Sequence, residues 1–199
     1  MKFRFQVLPV LLMLAGCSSG PDRHFVLESP ARALQSASAS RSQAPVPSAG
    51  PLQLAAIGSY MDAQETDLRN RLRGTGAVVT RPGDDLVVVI RNDQLFDGAK
   101  ISGSGGELLA SIANVLNHYD RSSVQIQGFT DTAGAADRNL ALSDARAHDI
   151  YNALMGDGVA KARLSAQGFG ETRLRVATGD NVSEPRNRRI ELRITARPG

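Results

Sequence analysis

The chain has 199 residues, 42% of them hydrophobic, and carries a formal net charge of +3 with one cysteine. That length accommodates one ordinary core plus extra segments but not two full domains, and a lone cysteine excludes an intrachain disulfide. Nearly all the positive charge is arginine, and Arg173, Arg175, Arg186, Arg188, Arg189, Arg193 and Arg197 crowd the C-terminal quarter as a nucleic-acid patch would, a role the N-terminus argues against.

Lys2 and Arg4 precede an apolar run, Val7 to Leu14, which Pro9 interrupts and Leu14-Ala15-Gly16-Cys17 closes. A positive start, a short apolar run and small residues describe an export signal, and the run is too short for a membrane span of about 20 residues. The chain is therefore expected to leave the cytoplasm, with no nucleic acid among its partners. Leu14 to Cys17 resembles a bacterial lipobox. The resemblance implies that residues 1–16 are removed as a signal peptide and that Cys17 is acylated, with palmitate among its lipids, to become the first mature residue. Ser18 stands where an Asp would favour retention in the inner membrane, so the resemblance implies a lipid anchor in the outer membrane with the rest of the chain facing the periplasm.

Residues 17–51 are dominated by Ser, Ala and Pro, as in Ser36-Ala37-Ser38-Ala39-Ser40 and Ala44-Pro45-Val46-Pro47-Ser48. So few large apolar side chains cannot offset the entropy of ordering, and the segment reads as a disordered tether. An apolar island, Phe25-Val26-Leu27, has no assigned role. Residues 52–76 read as a helical segment, with Leu54, Ile57, Met61, Leu68 and Leu72 recurring at helical spacing, Gln64 breaking the stripe, and Gly74 and Gly76 ending it. Such a stripe packs against its own domain or pairs with a partner helix, in a dimer or with another periplasmic protein.

Residues 77–199 read as one domain, expected to fold without the preceding helix. Ala77 to Thr80 and Leu86 to Arg91 are strands joined by the turn Arg81-Pro82-Gly83-Asp84-Asp85. Gly105 to Tyr119 carries a helical face of Leu108, Leu109, Ile112, Val115 and Leu116. A strand from Val124 to Gly128, a helix ending near Met155, and strands Arg163 to Phe169 and Arg189 to Thr195 follow. With two helices close behind three strands, the order β, β, α, β, α, β, β predicts an α+β domain of two layers, a mixed sheet with the helices packed on one face. The plainest alternative for Arg189, in the last strand, is a strand-edge charge that limits edge-to-edge pairing.

The stretch from Phe129 to Arg146, at the exit of the third strand, carries the candidate site. Asp131 stands near the positive end of the following helix. Asn139 and Arg146 lie two helical turns apart, within about 20° of one line, beside an apolar stripe of Leu140, Ala147, Ile150, Tyr151 and Leu154. Asp131 and Arg146 either pair with each other or form a pocket of both signs, which suits a zwitterion.

Thr130, Asp131, Asn139, Leu142, Ser143, Arg146 and Ala147 resemble, without a gap, the motif of the peptidoglycan-binding OmpA-like domain. Gly158-Val159, Arg163, Gly168-Phe169-Gly170-Glu171 and Asn187-Arg188-Arg189 followed by Ile190-Glu191 continue the resemblance in order. It implies an OmpA-like fold over roughly residues 84–196 and a site for the diaminopimelate of the peptidoglycan stem peptide. On it, Asp131 takes the ligand ammonium, Arg146 and Arg188 take its carboxylate, and Asn139 with backbone N–H groups near Thr130 completes the pocket. Leu95-Phe96-Asp97-Gly98 resembles the loop at the mouth of that pocket, with Ala99 and Lys100 where relatives often carry an Asn. Ser183-Glu184 replaces a Gly-Arg common in relatives, a lost positive charge expected to weaken affinity or alter preference.

No catalytic constellation accompanies this site. His24, His118 and His148 are scattered, Ser143 belongs to the motif, Asp137 suits the first helical turn, and no phosphate loop or metal-ligand spacing occurs. The expectation is a binding protein, not an enzyme, with no cofactor and no metal.

Overall fold

A computed structural model describes residues 54–197. The export signal, Cys17, the tether, the Phe25-Val26-Leu27 island and the start of the first predicted helix lie outside the described residues. The elements are α1 (Leu54–Arg71), β1 (Val78–Thr80), β2 (Leu86–Arg91), a single-turn α2 (Asn92–Leu95), β3 (Phe96–Asp97), β4 (Lys100–Ile101), α3 (Gly103–His118), β5 (Ser122–Phe129), α4 (Ala136–Gly156), β6 (Leu164–Gly168) and β7 (Arg189–Ala196). The predicted strands and helices are all present. What periodicity could not reveal is α2 with the two-residue ladder β3–β4, elements too short to carry a repeat.

The main sheet runs β1-β2-β7-β5-β6, with β5 and β6 parallel and every other pair antiparallel. The fold is thus the expected mixed α+β sheet, and strand alternation makes it two-layered. Leu86, Val88, Ile90, Val124, Ile126, Ile190, Leu192 and Ile194 are buried on the face the helices cover. Ser123, Gln125, Glu191, Arg193 and Thr195 alternate onto the other face and are half-buried or exposed. β7 is the central strand, so the edge alternative for Arg189 is corrected: the last strand in sequence is inserted between two others.

α3 begins at an N-cap, Ser102, whose Oγ accepts from the Gly105 N–H at 2.9 Å, and Leu108, Leu109, Ile112, Val115 and Leu116 are buried as the periodicity predicted. Its C-terminal carbonyls are capped from afar. Arg163, 5% exposed, donates to the carbonyls of Leu116 (2.7 Å), Tyr119 (2.8 Å) and Ser122 (2.7 Å) and to Ser122 Oγ (3.1 Å). These charge-assisted bonds satisfy groups that the helix end leaves open.

α1 joins the same core. Tyr60, Met61, Leu68 and Leu72 are at most 3% exposed, and the Tyr60 ring meets the Tyr119 ring edge-on at 5.4 Å. Gln64 does not break this face: it is fully buried, and its Nε2 donates to Ser122 Oγ at 3.3 Å. Burial raises the phenol pKa of Tyr60, and burial with a 2.9 Å bond to Asp67 raises that of Tyr119.

Candidate functional site

The site forms where β5 and β2 end and β7 begins. Phe129 is in register with Arg189, and Arg189 with Arg91, so the next row across the sheet is Thr130, Arg188 and Asn92. The Asn92 N–H donates to the Arg188 carbonyl at 3.0 Å and extends the ladder by one step. Arg189 points to the face opposite the helices, where it is buried with Phe129 under the loop before β7: its guanidinium lies 3.9 Å from the Phe129 ring centroid, donates to the Arg173 carbonyl at 3.2 Å and pairs with Glu191 at 2.6 Å. By alternation, Thr130, Arg188 and Asn92 fall on the helix-covered face.

α4 brings the remaining residues down to this row because two glycines let it approach. A Cβ on Gly128 would collide with the Ser143 carbonyl oxygen, and one on Gly168 with the Asp144 backbone nitrogen. Hydrogen bonds fix the contact: Gly168 N–H donates to Asp144 Oδ1 at 3.0 Å and Gly170 N–H to Ser143 Oγ at 2.8 Å. The buried line of α4 is therefore Asn139, Ser143, Ala147, Ile150 and Leu154. Leu140, expected on the apolar stripe, is 49% exposed, since the glycine strands admit only small residues at that end of the helix.

Asp131 is 5% exposed, and its Oδ2 accepts from Arg188 Nη1 at 2.6 Å and from the Glu184 N–H at 3.1 Å. Arg188 also donates to Ser183 Oγ at 2.8 Å. The acid pairs with Arg188, across the sheet row, and Arg146 has no ion pair among the described residues. Arg146 is half-buried, its guanidinium 5.3 Å from the Phe96 ring centroid and its Nε buried without a partner. Burial, and next the charge of Arg188, lower its pKa, while Asp131 raises it. One carboxylate thus faces two guanidinium groups, and the surplus positive charge sits where water is scarce. Such an arrangement favours an anionic ligand.

Asn139 is brought to the same place and holds the loop there. Its Nδ2 donates to Glu171 Oε2 at 2.7 Å and to the carbonyls of Ala133 (3.2 Å) and Asp131 (3.3 Å). The Thr130 N–H donates to the Gly170 carbonyl at 2.9 Å, and its buried Oγ1 has no partner among the described residues. Thr132 clasps the loop before β7: its Oγ1 donates to the Gly179 carbonyl at 2.7 Å and accepts from the Val182 N–H at 3.1 Å, and its carbonyl accepts from the Asn181 N–H at 2.9 Å. Asn181 holds a left-handed φ of 56°, a conformation asparagine tolerates.

The Ser183-Glu184 departure takes its place in this geometry. Glu184 turns its carboxylate onto Arg186 at 2.8 Å, and those hydrogen bonds hold its pKa down at about 2. What reaches the site is the Ser183 hydroxyl and the Glu184 N–H, both polar contacts that residue-type matching could not foresee. Ala99 and Lys100 are exposed on the β3–β4 turn. Among the described residues no cluster of His, Cys, Asp and Glu side chains is placed to hold a metal. A groove of about 470 Å³ between Arg69, Arg73 and β1 shares no residue with the site.

Residues 95–188 match the model of the OmpA family. The chain is 36% identical over 141 residues to the probable lipoprotein YiaD of Escherichia coli, a match covering 70% of this chain and 64% of that relative, so the chain spans just under two thirds of YiaD. It is 34% identical over 115 residues to the peptidoglycan-associated lipoprotein of Mesorhizobium japonicum, covering 56% of this chain and 67% of the relative. Among solved structures, the cell wall anchor of the T6SS from Pseudomonas aeruginosa superposes with a TM-score of 0.57 at 29% identity, over 65% of this chain and 96% of that one.

Proposed function

The chain belongs to the OmpA family, and from that premise we propose that it binds peptidoglycan non-covalently through the diaminopimelate of the stem peptide. The observation that carries this reading is Arg146, a half-buried guanidinium without an ion pair among the described residues, beside the closed Asp131–Arg188 pair. A ligand carboxylate would neutralise Arg146 and share Arg188, and the ligand ammonium would bind Asp131. Thr130 and Asn139 would complete the pocket, Asn139 by keeping the loop around Asp131 in shape. The role is binding and not catalysis.

The wider reading is a lipoprotein anchored in the outer membrane through Cys17, its domain in the periplasm, tethering that membrane to the wall. The names of two relatives, both lipoproteins, support it. The competing reading, in which the helix from Leu52 to Arg73 engages a periplasmic protein, has less surface to draw on, since Met61, Leu68 and Leu72 of its apolar stripe are buried in its own domain.

Titration with a diaminopimelate-containing stem peptide and its amidated counterpart tests the pocket. Amidation removes the carboxylate assigned to Arg146, and loss of one partner of a desolvated charge contact costs about 2–5 kcal/mol, so affinity should fall roughly thirtyfold or more. Equal affinity for the two peptides would exclude this assignment.

A further inference from the structure

Buried polar side chains in folded proteins nearly always have partners, so those that lack them are informative. Among the described residues, the buried side-chain nitrogen and oxygen atoms with no hydrogen-bond partner are Gln64 Oε1, Arg121 Nη2, Asn92 Nδ2, Asn92 Oδ1, Thr130 Oγ1 and Arg146 Nε. The first two lie by the start of β5, at the far end of the sheet, where Gln64 meets Ser122. The other four belong to residues of the candidate site. Asn92 and Thr130 flank Arg188 in one register row, and Arg146 belongs to α4, which packs on the same face.

Asn92 is the most informative of these. It is only 6% exposed, its backbone is held to the Arg188 carbonyl, and both ends of its carboxamide are unsatisfied. An asparagine buried for packing alone would forfeit a donor and an acceptor where an apolar residue of similar size forfeits nothing. A carboxamide carries that donor and acceptor on one carbon, whereas the α-amino acid end of a ligand carries an ammonium and a carboxylate on one carbon. The two patterns are complementary.

We propose that Asn92 is a ligand-binding residue of this pocket, its Nδ2 donating to the ligand carboxylate beside Arg146 and its Oδ1 accepting from the ligand ammonium beside Asp131. This rests on the zwitterion reading of the site. It makes the strand row, and not only the α4 motif, a determinant of specificity. Thr130 Oγ1, in the same row, supplies a further hydroxyl to the carboxylate.

The test uses the whole chain purified in detergent, with a stem tripeptide ending in meso-diaminopimelate as probe. Asn92→Leu removes the carboxamide at similar volume. It should melt at or above the wild-type temperature when ligand-free, because an unsatisfied amide is gone, and should bind the tripeptide roughly ten- to a hundredfold more weakly. Wild-type affinity in this variant, with Asp131→Ala weakened about thirtyfold or more, overturns the Asn92 assignment and leaves the pocket standing. A wild-type chain that does not bind the tripeptide overturns both. Should Asn92→Leu fail to fold, the side-chain amide of Asn92 in the wild-type chain is followed by NMR. It should shift and exchange more slowly at saturating tripeptide, and an unchanged signal refutes the proposal.

Discussion

Asp131 and Arg146 stand fifteen positions apart in sequence but differ in how their charges are met. Asp131 is held by Arg188 and a backbone N–H, whereas Arg146 lies by the Phe96 ring, within the fields of Arg188 and Asp131 but with no ion pair among the described residues. The sequence motif singled out both residues as well as Arg188, yet the partner of Asp131 is the arginine of the distant tripeptide. Side-chain pairing across strands follows register, which no local spacing encodes. The tripeptide itself divides into three tasks: Asn187 bonds the backbone of Arg175 and Val176, Arg188 meets Asp131, and Arg189 stacks on Phe129. If one ligand zwitterion bridges Asp131 and Arg146, Asp131→Ala and Arg146→Ala should each lower affinity for the stem peptide about thirtyfold or more, and the double variant should be scarcely worse than either. Exposed charges attracting an anionic polymer would behave otherwise, with small additive losses and release by moderate salt. Isothermal titration of the three variants at low and physiological salt distinguishes the two patterns.

At the scale of elements, two helices acquire their meaning from what they touch. The positions of α4 in the sequence were legible, but its depth on the sheet was not, because it depends on Gly128 and Gly168 meeting Ser143 and Asp144 across a parallel strand pair. That close seat sets α4, and Arg146 with it, over the end of the inner strands. α1 was legible as a helix, and a domain boundary drawn after residue 76 treats it as dispensable. Its side chains Tyr60, Met61 and Leu68, with Leu72 just past its end, are instead part of the common core. Fully burying a large apolar side chain contributes about 1.5–3 kcal/mol, so four of them rival the whole net stability of a typical domain, about 5–15 kcal/mol. A chain beginning at Ala77 is therefore expected to lose most of its stability and to expose the Tyr119 and Val79 side of the core. Thermal unfolding followed by circular dichroism checks this: a cooperative transition within a few degrees of the intact chain would show that α1 is dispensable.

For the whole molecule, the proposed function joins a membrane end to a wall-binding end. Some 34 residues separate Cys17 from Leu52, enough to span roughly 110–120 Å if extended and roughly 30 Å as a flexible coil. On this reading Cys17→Ala should leave an unprocessed or lipid-free chain that no longer fractionates with outer membranes freed of peptidoglycan, since stable anchoring needs more than one acyl chain. Persistence in that fraction would remove the anchor from the proposal. The sequence by itself determined the class of the fold and the order of its main elements, and singled out Asp131, Arg146 and Arg188 as candidates, because hydrophobic period, glycine stops and motif spacing are local properties of the chain. Only the tertiary structure decided that β7 lies at the centre of the sheet, that Gln64 is buried, that Leu140 is exposed, that Arg188 pairs with Asp131, and that Asn92 stands unsatisfied beside them. Each of those outcomes depends on which strands become neighbours and how closely a helix can settle on them. Such relations between distant segments follow from packing the whole core at once.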